Sequence, residues 1–65
     1  MCQGLPCVGH RVELINTRLV KGFELRSGLV GTVREEHLRE REVTVYFPSL
    51  DQEFRLPETY LRAAR

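Results

Sequence analysis

The stretch "EVTVYF", residues 42–47, carries the clearest structural signal in this chain of 65 residues. Its apolar side chains occupy every second position, and polar or aromatic hydroxyl side chains stand between them. This alternation is the period of a β-strand that buries one face and exposes the other. Pro48 and Ser49 follow directly and end the pattern. The stretch therefore predicts a strand with Val43, Val45 and Phe47 in the core.

Four further runs flank this strand and are bounded by turn residues: "HRVELI" (10–15), "LVGTVRE" (29–35), "EFRL" (53–56) and "LRAA" (61–64). Five short strands without a required helix predict an all-β domain, a small antiparallel barrel that protects its edges by closure. We favour a five-stranded SH3-like barrel over an OB-fold because the strands are very short. In addition, "LPETYL" resembles the one-turn 3₁₀ helix before the last strand of SH3-like domains.

The domain organisation predicted from these runs is one barrel, residues 9–65, preceded by a short irregular tail, residues 1–8. Gly31 breaks the alternation of the second run, so we expect a bulge or bend there. The charged segment 34–42 has one apolar residue, which favours a solvated connection between strands. The predicted core consists of Val12, Leu14, Val30, Val33, Val43, Val45, Phe47, Phe54, Leu56 and Leu61.

Composition and charge make nucleic-acid binding possible but not favoured, and they argue against a membrane-spanning protein. The formal net charge is +1, whereas strong phosphate binding usually needs a clear basic excess. No apolar run approaches the about 20 residues that cross a bilayer. The first residues lack the pattern of a signal peptide, so we expect no membrane partner and a location in the cytoplasm or in the soluble phase of an organelle.

The connection 16–28, "NTRLVKGFELRSG", is long for a compact domain, and such loops are often functional. It has three cations against one carboxylate, together with apolar side chains. This mixture favours a protein-docking edge, although Phe23 and Leu25 could instead cap the open end of the barrel. We select five contact candidates from this loop and the exposed face of the third run: Arg18, Lys21, Phe23, Arg26 and Tyr46.

Five segments, residues 9–14, 23–26, 31–33, 43–47 and 54–56, follow a pattern seen in one group of proteins. The chain resembles, over roughly residues 9–63, the variable subunit of ferredoxin–thioredoxin reductase and related small SH3-like proteins of oxygenic photosynthesis. Ser27 is an extra residue relative to the spacing of that group. The resemblance implies a non-catalytic barrel, because in that family the iron–sulfur cluster and the redox disulfide belong to a partner subunit.

Cys2 and Cys7 leave several interpretations open. A zinc site needs about four ligands, and a thioredoxin-like pair needs two intervening residues rather than four. "MCQGLP" also resembles the start of hydrogenase-maturation chaperones, which implies that Cys2 holds the metal centre under assembly. The remaining interpretation is a pair of thiols with little function, because cytosolic cysteines are usually reduced.

No nucleophile–base pair or phosphate loop is present in the sequence, so we predict neither enzymatic activity nor a cofactor. The predicted function is a binding or regulatory subunit that docks on a larger protein, such as a redox or photosynthetic complex. Two alternatives are a metallocentre-assembly chaperone that uses Cys2 and a small nucleic-acid-binding barrel. The sequence does not define the oligomeric state.

Overall fold

A computed structural model of the chain describes residues 6–64, in which the regular structure is β-strand apart from a single 3₁₀ turn. The elements are β1 (Arg11–Leu14), β2 (Arg18–Val20), β3 (Phe23–Leu25), β4 (Val30–His37), β5 (Glu42–Phe47), β6 (Gln52–Pro57), the 3₁₀ turn (Glu58–Tyr60) and β7 (Leu61–Ala63). Five strands form an antiparallel sheet in the order β6-β5-β4-β1-β7, and β2 and β3 form a separate two-stranded sheet. The prediction of a small all-β domain with a five-stranded antiparallel sheet is confirmed.

The long strand β4 bends, although not at the predicted place. Its pairing with β5 changes register between Val33 and Glu35, so the bulge lies at Arg34 rather than at Gly31. Gly31 has another role, because a Cβ atom added there would lie 2.5 Å from Val45 Cγ1 and 2.6 Å from the Tyr46 carbonyl oxygen. The glycine therefore permits close approach of the strand to its neighbour.

The charged segment 34–42 was predicted as a solvated connection, and this is wrong for its first half. β4 continues to His37, and the connection to β5 is the short turn 38–41. The strand needs no apolar face here, because its backbone pairs with β5 as far as His37 and Glu42. Charged side chains can therefore project into solvent without weakening the ladder.

The predicted irregular loop 16–28 contains a β-hairpin made of β2 and β3. Val20 pairs with Phe23, which leaves Lys21 and Gly22 as a two-residue turn. Both have positive φ, 51° and 83°, as a type I′ turn requires. The sequence gives little signal for this hairpin, because lysine seldom occupies such a turn and each strand has three residues.

The core matches the predicted set except at one position. Val30 is half-buried, whereas Leu25 is fully buried in its place. Because β4 has no bulge at Gly31, the odd spacing of Val30 and Val33 puts them on opposite faces. The buried side chains are Val12, Leu14, Leu25, Val33, Val43, Val45, Phe47, Phe54, Leu56 and Leu61.

The predicted tail, residues 1–8, lies mostly outside the described residues, but its last part is attached to β4. The Val8 amide donates to Glu36 Oε2 at 3.2 Å, and the Gly9 amide donates to the Val33 carbonyl at 2.8 Å.

Cys7 is disulfide-bonded, which corrects the expectation that both cysteines are thiols. Cys2, the chain's one other cysteine, lies outside the described residues. Between residues 6 and 64, no helix is long and apolar enough to cross a membrane.

Candidate protein-docking surface

The β2–β3 hairpin exposes apolar and basic side chains together. We call Leu19, Lys21, Phe23 and Arg26 the hairpin surface; Leu19 lies on the outer face of the hairpin, whereas Phe23 lies on the face towards the core. Leu19 is 77% exposed, more than any other large hydrophobic side chain between residues 6 and 64, and Phe23 is 38% exposed. Leu19 projects outward because its neighbours Arg18 and Val20 face the domain. An exposed apolar side chain beside cations is typical of a surface that binds another protein.

Phe23 is held in position from one side. Its ring meets the ring of Phe54 edge to face, with centroids 5.4 Å apart and planes at 72°. Phe54 is buried and contacts the ring of Phe47 at 6.0 Å. The T-shaped contact joins the hairpin to the core and leaves part of Phe23 exposed. Leu25 caps the core below it, as one of the two predicted interpretations of this loop required.

The cations of the hairpin surface are weakly neutralised. Arg26 Nε lies 3.5 Å from Glu24 Oε1, but both side chains are well exposed, at 82% and 61%. Such a pair contributes little, because water screens it. Lys21 has no ion pair among the described residues. The surface therefore presents positive charge to a partner.

Arg18, the third predicted cation, is only partly exposed and lies at the base of the hairpin. Its guanidinium carbon lies 4.2 Å from the centroid of the Tyr60 ring, a cation–π contact with the 3₁₀ turn. Its Nε atom is buried and has no hydrogen-bond partner within residues 6–64. Arg18 is therefore held in place by an aromatic ring and not by a carboxylate.

Tyr46, the fifth predicted contact residue, does not lie with the other four. It projects from β5 on the face opposite to Val45 and Phe47, which are buried. Its hydroxyl donates to Asp51 Oδ1 at 2.6 Å, and this hydrogen bond is the main reason why the pKa of Tyr46 is raised. The structure thus divides the predicted candidates between two surfaces.

The second surface, which we call the outer sheet face, is the solvent side of β4, β5 and β6 around Tyr46. Its cations are matched by carboxylates. Arg34 Nε lies 3.3 Å from Glu53 Oε2, with its guanidinium carbon 5.2 Å from the Tyr46 ring centroid. Arg55 Nε lies 2.6 Å from Glu42 Oε1. The cations and carboxylates of this face pair with one another, so few of its charged groups are free to bind a partner.

His37 is the one described histidine with side-chain polar partners, and their arrangement does not support catalysis. Its Nε2 atom lies 2.8 Å from Thr44 Oγ1 and 3.5 Å from Glu35 Oε1. A catalytic triad needs the hydroxyl on one ring nitrogen and the carboxylate on the other, whereas both contacts here use the same atom. Across residues 6–64, no group of three or more His, Cys, Asp or Glu side chains could hold a metal ion.

Two residues of this region were absent from the sequence-based candidates, Leu19 and Tyr60. Leu19 could have been found from the alternation around Lys21 and Gly22, had the hairpin been recognised. Tyr60 has no such signal, because its contact with Arg18 joins segments far apart in sequence.

Comparison with models of protein families, with curated proteins and with solved structures finds no match for this chain.

Proposed function

We propose that this chain is a non-catalytic binding or regulatory subunit that docks on a larger protein through its hairpin surface. The observation that carries this proposal is the combination, on one hairpin, of Leu19, the most exposed large hydrophobic side chain described, with Lys21, which has no ion pair among the described residues. An apolar contact gives affinity, and a neighbouring cation steers an acidic partner and improves specificity.

We also propose that the domain is an SH3-like barrel. Three features support this assignment: the strand order β6-β5-β4-β1-β7, a hairpin within the long first connection, and a 3₁₀ turn before the last strand. The resemblance to small SH3-like proteins of photosynthesis adds the expectation of a redox or photosynthetic complex as the partner. A location in the cytoplasm or in the soluble phase of an organelle is part of the same proposal.

A protein partner is favoured over nucleic acid by the charges near the hairpin. A nucleic acid presents a row of phosphates, and its binding usually needs several free cations. Here the net charge of the whole chain is +1, and Glu24 stands beside Arg26. An apolar side chain as exposed as Leu19 suits a protein surface better than a sugar–phosphate backbone.

Affinity capture with two matched variants tests the proposal. The first variant, Leu19→Ser with Lys21→Glu, changes two exposed hairpin positions that have no core contact. The second, Leu38→Ser with Arg39→Glu, makes the same kind of change in the exposed turn before β5. We expect the first variant to lose the protein partners that the wild-type chain captures, identified by mass spectrometry, and the second to keep them.

Equal capture by both variants would overturn the hairpin as the docking site. Recovery of nucleic acid instead of protein, with a steep dependence on salt, would favour the nucleic-acid alternative. The metallocentre alternative requires a reduced thiolate on Cys2, which lies outside the described residues. Stoichiometric iron, nickel or zinc bound to the reduced chain, and lost in Cys2→Ser, would favour it.

A further inference from the structure

Strand β6 forms one edge of the five-stranded sheet and has six residues, Gln52–Pro57. It pairs with β5 over all six residues, and within residues 6–64 no strand or turn bonds through its backbone to the other side of β6. An exposed edge presents unpaired amide and carbonyl groups, which are a template for another strand. The opposite edge of the sheet, β7, offers only three residues.

The pairing with β5 shows which backbone groups of β6 are free. The Glu58 amide donates to the Arg41 carbonyl at 3.0 Å, so these two residues form a hydrogen-bonded pair of the ladder. Hydrogen-bonded pairs alternate along an antiparallel ladder, so every second residue from position 52 to position 56 directs its backbone groups to β5. The amides and carbonyls of the two residues between them, Glu53 and Arg55, therefore point away from the sheet.

The charges on this edge favour one way of pairing two copies about a two-fold axis. When two antiparallel β6 strands are centred on Phe54, Glu53 of each copy lies opposite Arg55 of the other. Both members of such a pair have free backbone groups, so they can exchange amide–carbonyl hydrogen bonds. A register centred on Glu53 or on Arg55 instead puts like charges opposite each other, which is unfavourable.

The contacts of these side chains within the chain leave the free edge open. Glu53 contacts Arg34 on β4, and Arg55 contacts Glu42 on β5, so both contacts lie on the sheet side of β6. Glu53 and Arg55 are themselves exposed. Pro57 has no amide hydrogen and stands at the end of the strand, so it limits the pairing to the residues before it.

We propose that two copies of this chain associate through their β6 edges, with Glu53 and Arg55 of one copy opposite Arg55 and Glu53 of the other. Such a contact uses the same surface on both copies and closes on itself, so it forms a dimer rather than a fibre. It is short, so we expect association only at high protein concentration. The pairing uses none of the residues of the hairpin surface, so this inference goes beyond the docking proposal and does not depend on it.

Sedimentation of the whole chain at increasing concentration and low salt tests the pairing with charge-reversed variants. Glu53→Arg leaves two cations at each pair, and Arg55→Glu leaves two carboxylates. We expect each variant alone to self-associate about tenfold more weakly than the wild type, or weaker still, because like charges then lie opposite at both pairs. An equal mixture of the two variants restores opposite charges, so we expect a dimer that contains one copy of each.

Amide hydrogen exchange of the wild-type chain gives a second measurement that needs no variant. The amides of Glu53 and Arg55 should exchange more slowly as the protein concentration rises, whereas the amide of Leu19 on the hairpin should keep its rate. Lys21→Glu, a charge reversal at an exposed hairpin position, is the matched control and should leave self-association unchanged. If circular dichroism shows that a charge-reversed β6 variant is unfolded, the exchange measurement decides alone.

Three results would overturn the inference. A wild-type chain that stays monomeric at millimolar concentration does not pair through β6. A dimer that survives each single reversal, or a mixture that associates no better than each variant alone, is held together by another surface. Loss of the dimer in Lys21→Glu, with unchanged exchange at Glu53 and Arg55, would assign the contact between copies to the hairpin. The first two results leave the docking of another protein to the capture experiment.

Discussion

The hairpin surface and the outer sheet face are both exposed and charged, but they differ in how far their charged side chains are paired. On the outer sheet face, Arg34 and Arg55 have carboxylates within 3.3 Å, and Tyr46 donates to Asp51. On the hairpin, Lys21 has no counter-charge among the described residues, and Leu19 has no apolar cover. From this difference we infer that unsatisfied groups, rather than the amount of charge, distinguish the surface that we propose for docking.

The largest difference in the free energy of unfolding is expected between substitutions of two leucines in the same hairpin. Leu25→Ala removes a fully buried side chain from the core and should lower the free energy of unfolding by about 2–5 kcal/mol. Leu19→Ala changes an exposed side chain and should alter it by less than about 0.5 kcal/mol. Urea unfolding followed by circular dichroism measures both. A large loss in Leu19→Ala would mean that Leu19 stabilises the fold, and its exposure would not indicate binding.

The second comparison applies one substitution to the sheet and to the hairpin. Gly31→Ala places a Cβ atom 2.5 Å from Val45 Cγ1 and 2.9 Å from Phe47 Cδ1, so we expect a loss of about 2–3 kcal/mol. Gly22→Ala meets no atom within 4 Å, but its φ of 83° is unfavourable for alanine, at a cost of about 1 kcal/mol. Thermal unfolding compares the two variants. If Gly22→Ala were the more damaging, the hairpin turn would be more important for stability than the sheet contact.

A smaller difference in stability is expected between removing a cation that has a carboxylate partner and removing a cation that has none. Arg55→Met removes a cation that contacts Glu42 and Glu40, and at this exposed site the loss should be about 0.2–1 kcal/mol and should shrink as salt rises. Lys21→Met removes a cation without a counter-charge and should not destabilise the domain. Chemical unfolding at low and high salt tests the pair. Equal losses in both variants would contradict the proposed difference between the surfaces.

The smallest effect concerns the titration of Tyr46. Its hydrogen bond to Asp51 raises the pKa of Tyr46 above the usual 10.0, so the folded state holds this proton more tightly than the unfolded chain does. The bond therefore stabilises the fold below about pH 10 and is lost as the pH rises through the folded pKa. Asp51→Gly suits the positive φ of 52° and should lower the pKa of Tyr46 towards 10.0.

Phenolate absorbance in a Tyr60→Phe background isolates the Tyr46 titration. An unchanged pKa in Asp51→Gly would show that the hydrogen bond is not formed in solution. Tyr46 would then be free to contact a partner, and the outer sheet face would become a second docking candidate.

Most of the sheet could be predicted from sequence because its core strands alternate. The two-residue period of a strand is visible in Val43, Val45 and Phe47, and the single turn before β7 follows from "PETY". The bulge at Arg34 could not be predicted, because it depends on how β4 pairs with β5. The end of β4 could not be predicted either, because its pairing with β5 forms a strand from a charged sequence that does not favour one.

The candidate surface was predictable in part. The loop composition pointed to Lys21, Phe23 and Arg26, which lie in the turn of the hairpin, in β3 and directly after β3. Tyr46 was grouped with them because alternation shows only that it is exposed, and not which surface it shares. The stacking of Arg18 on Tyr60 depends on tertiary structure, so no local pattern predicts it.

Hydroxyl-radical footprinting of the chain, alone and with its captured protein partner, distinguishes docking on the hairpin surface from docking on the outer sheet face. This measurement reports the solvent access of Leu19, Phe23 and Tyr46 in one sample. We predict that the partner protects Leu19 and Phe23 from oxidation and leaves Tyr46 as reactive as in the free chain. Protection of Tyr46 with no change at Leu19 and Phe23 would contradict the account, because the docking site would then lie on the outer sheet face.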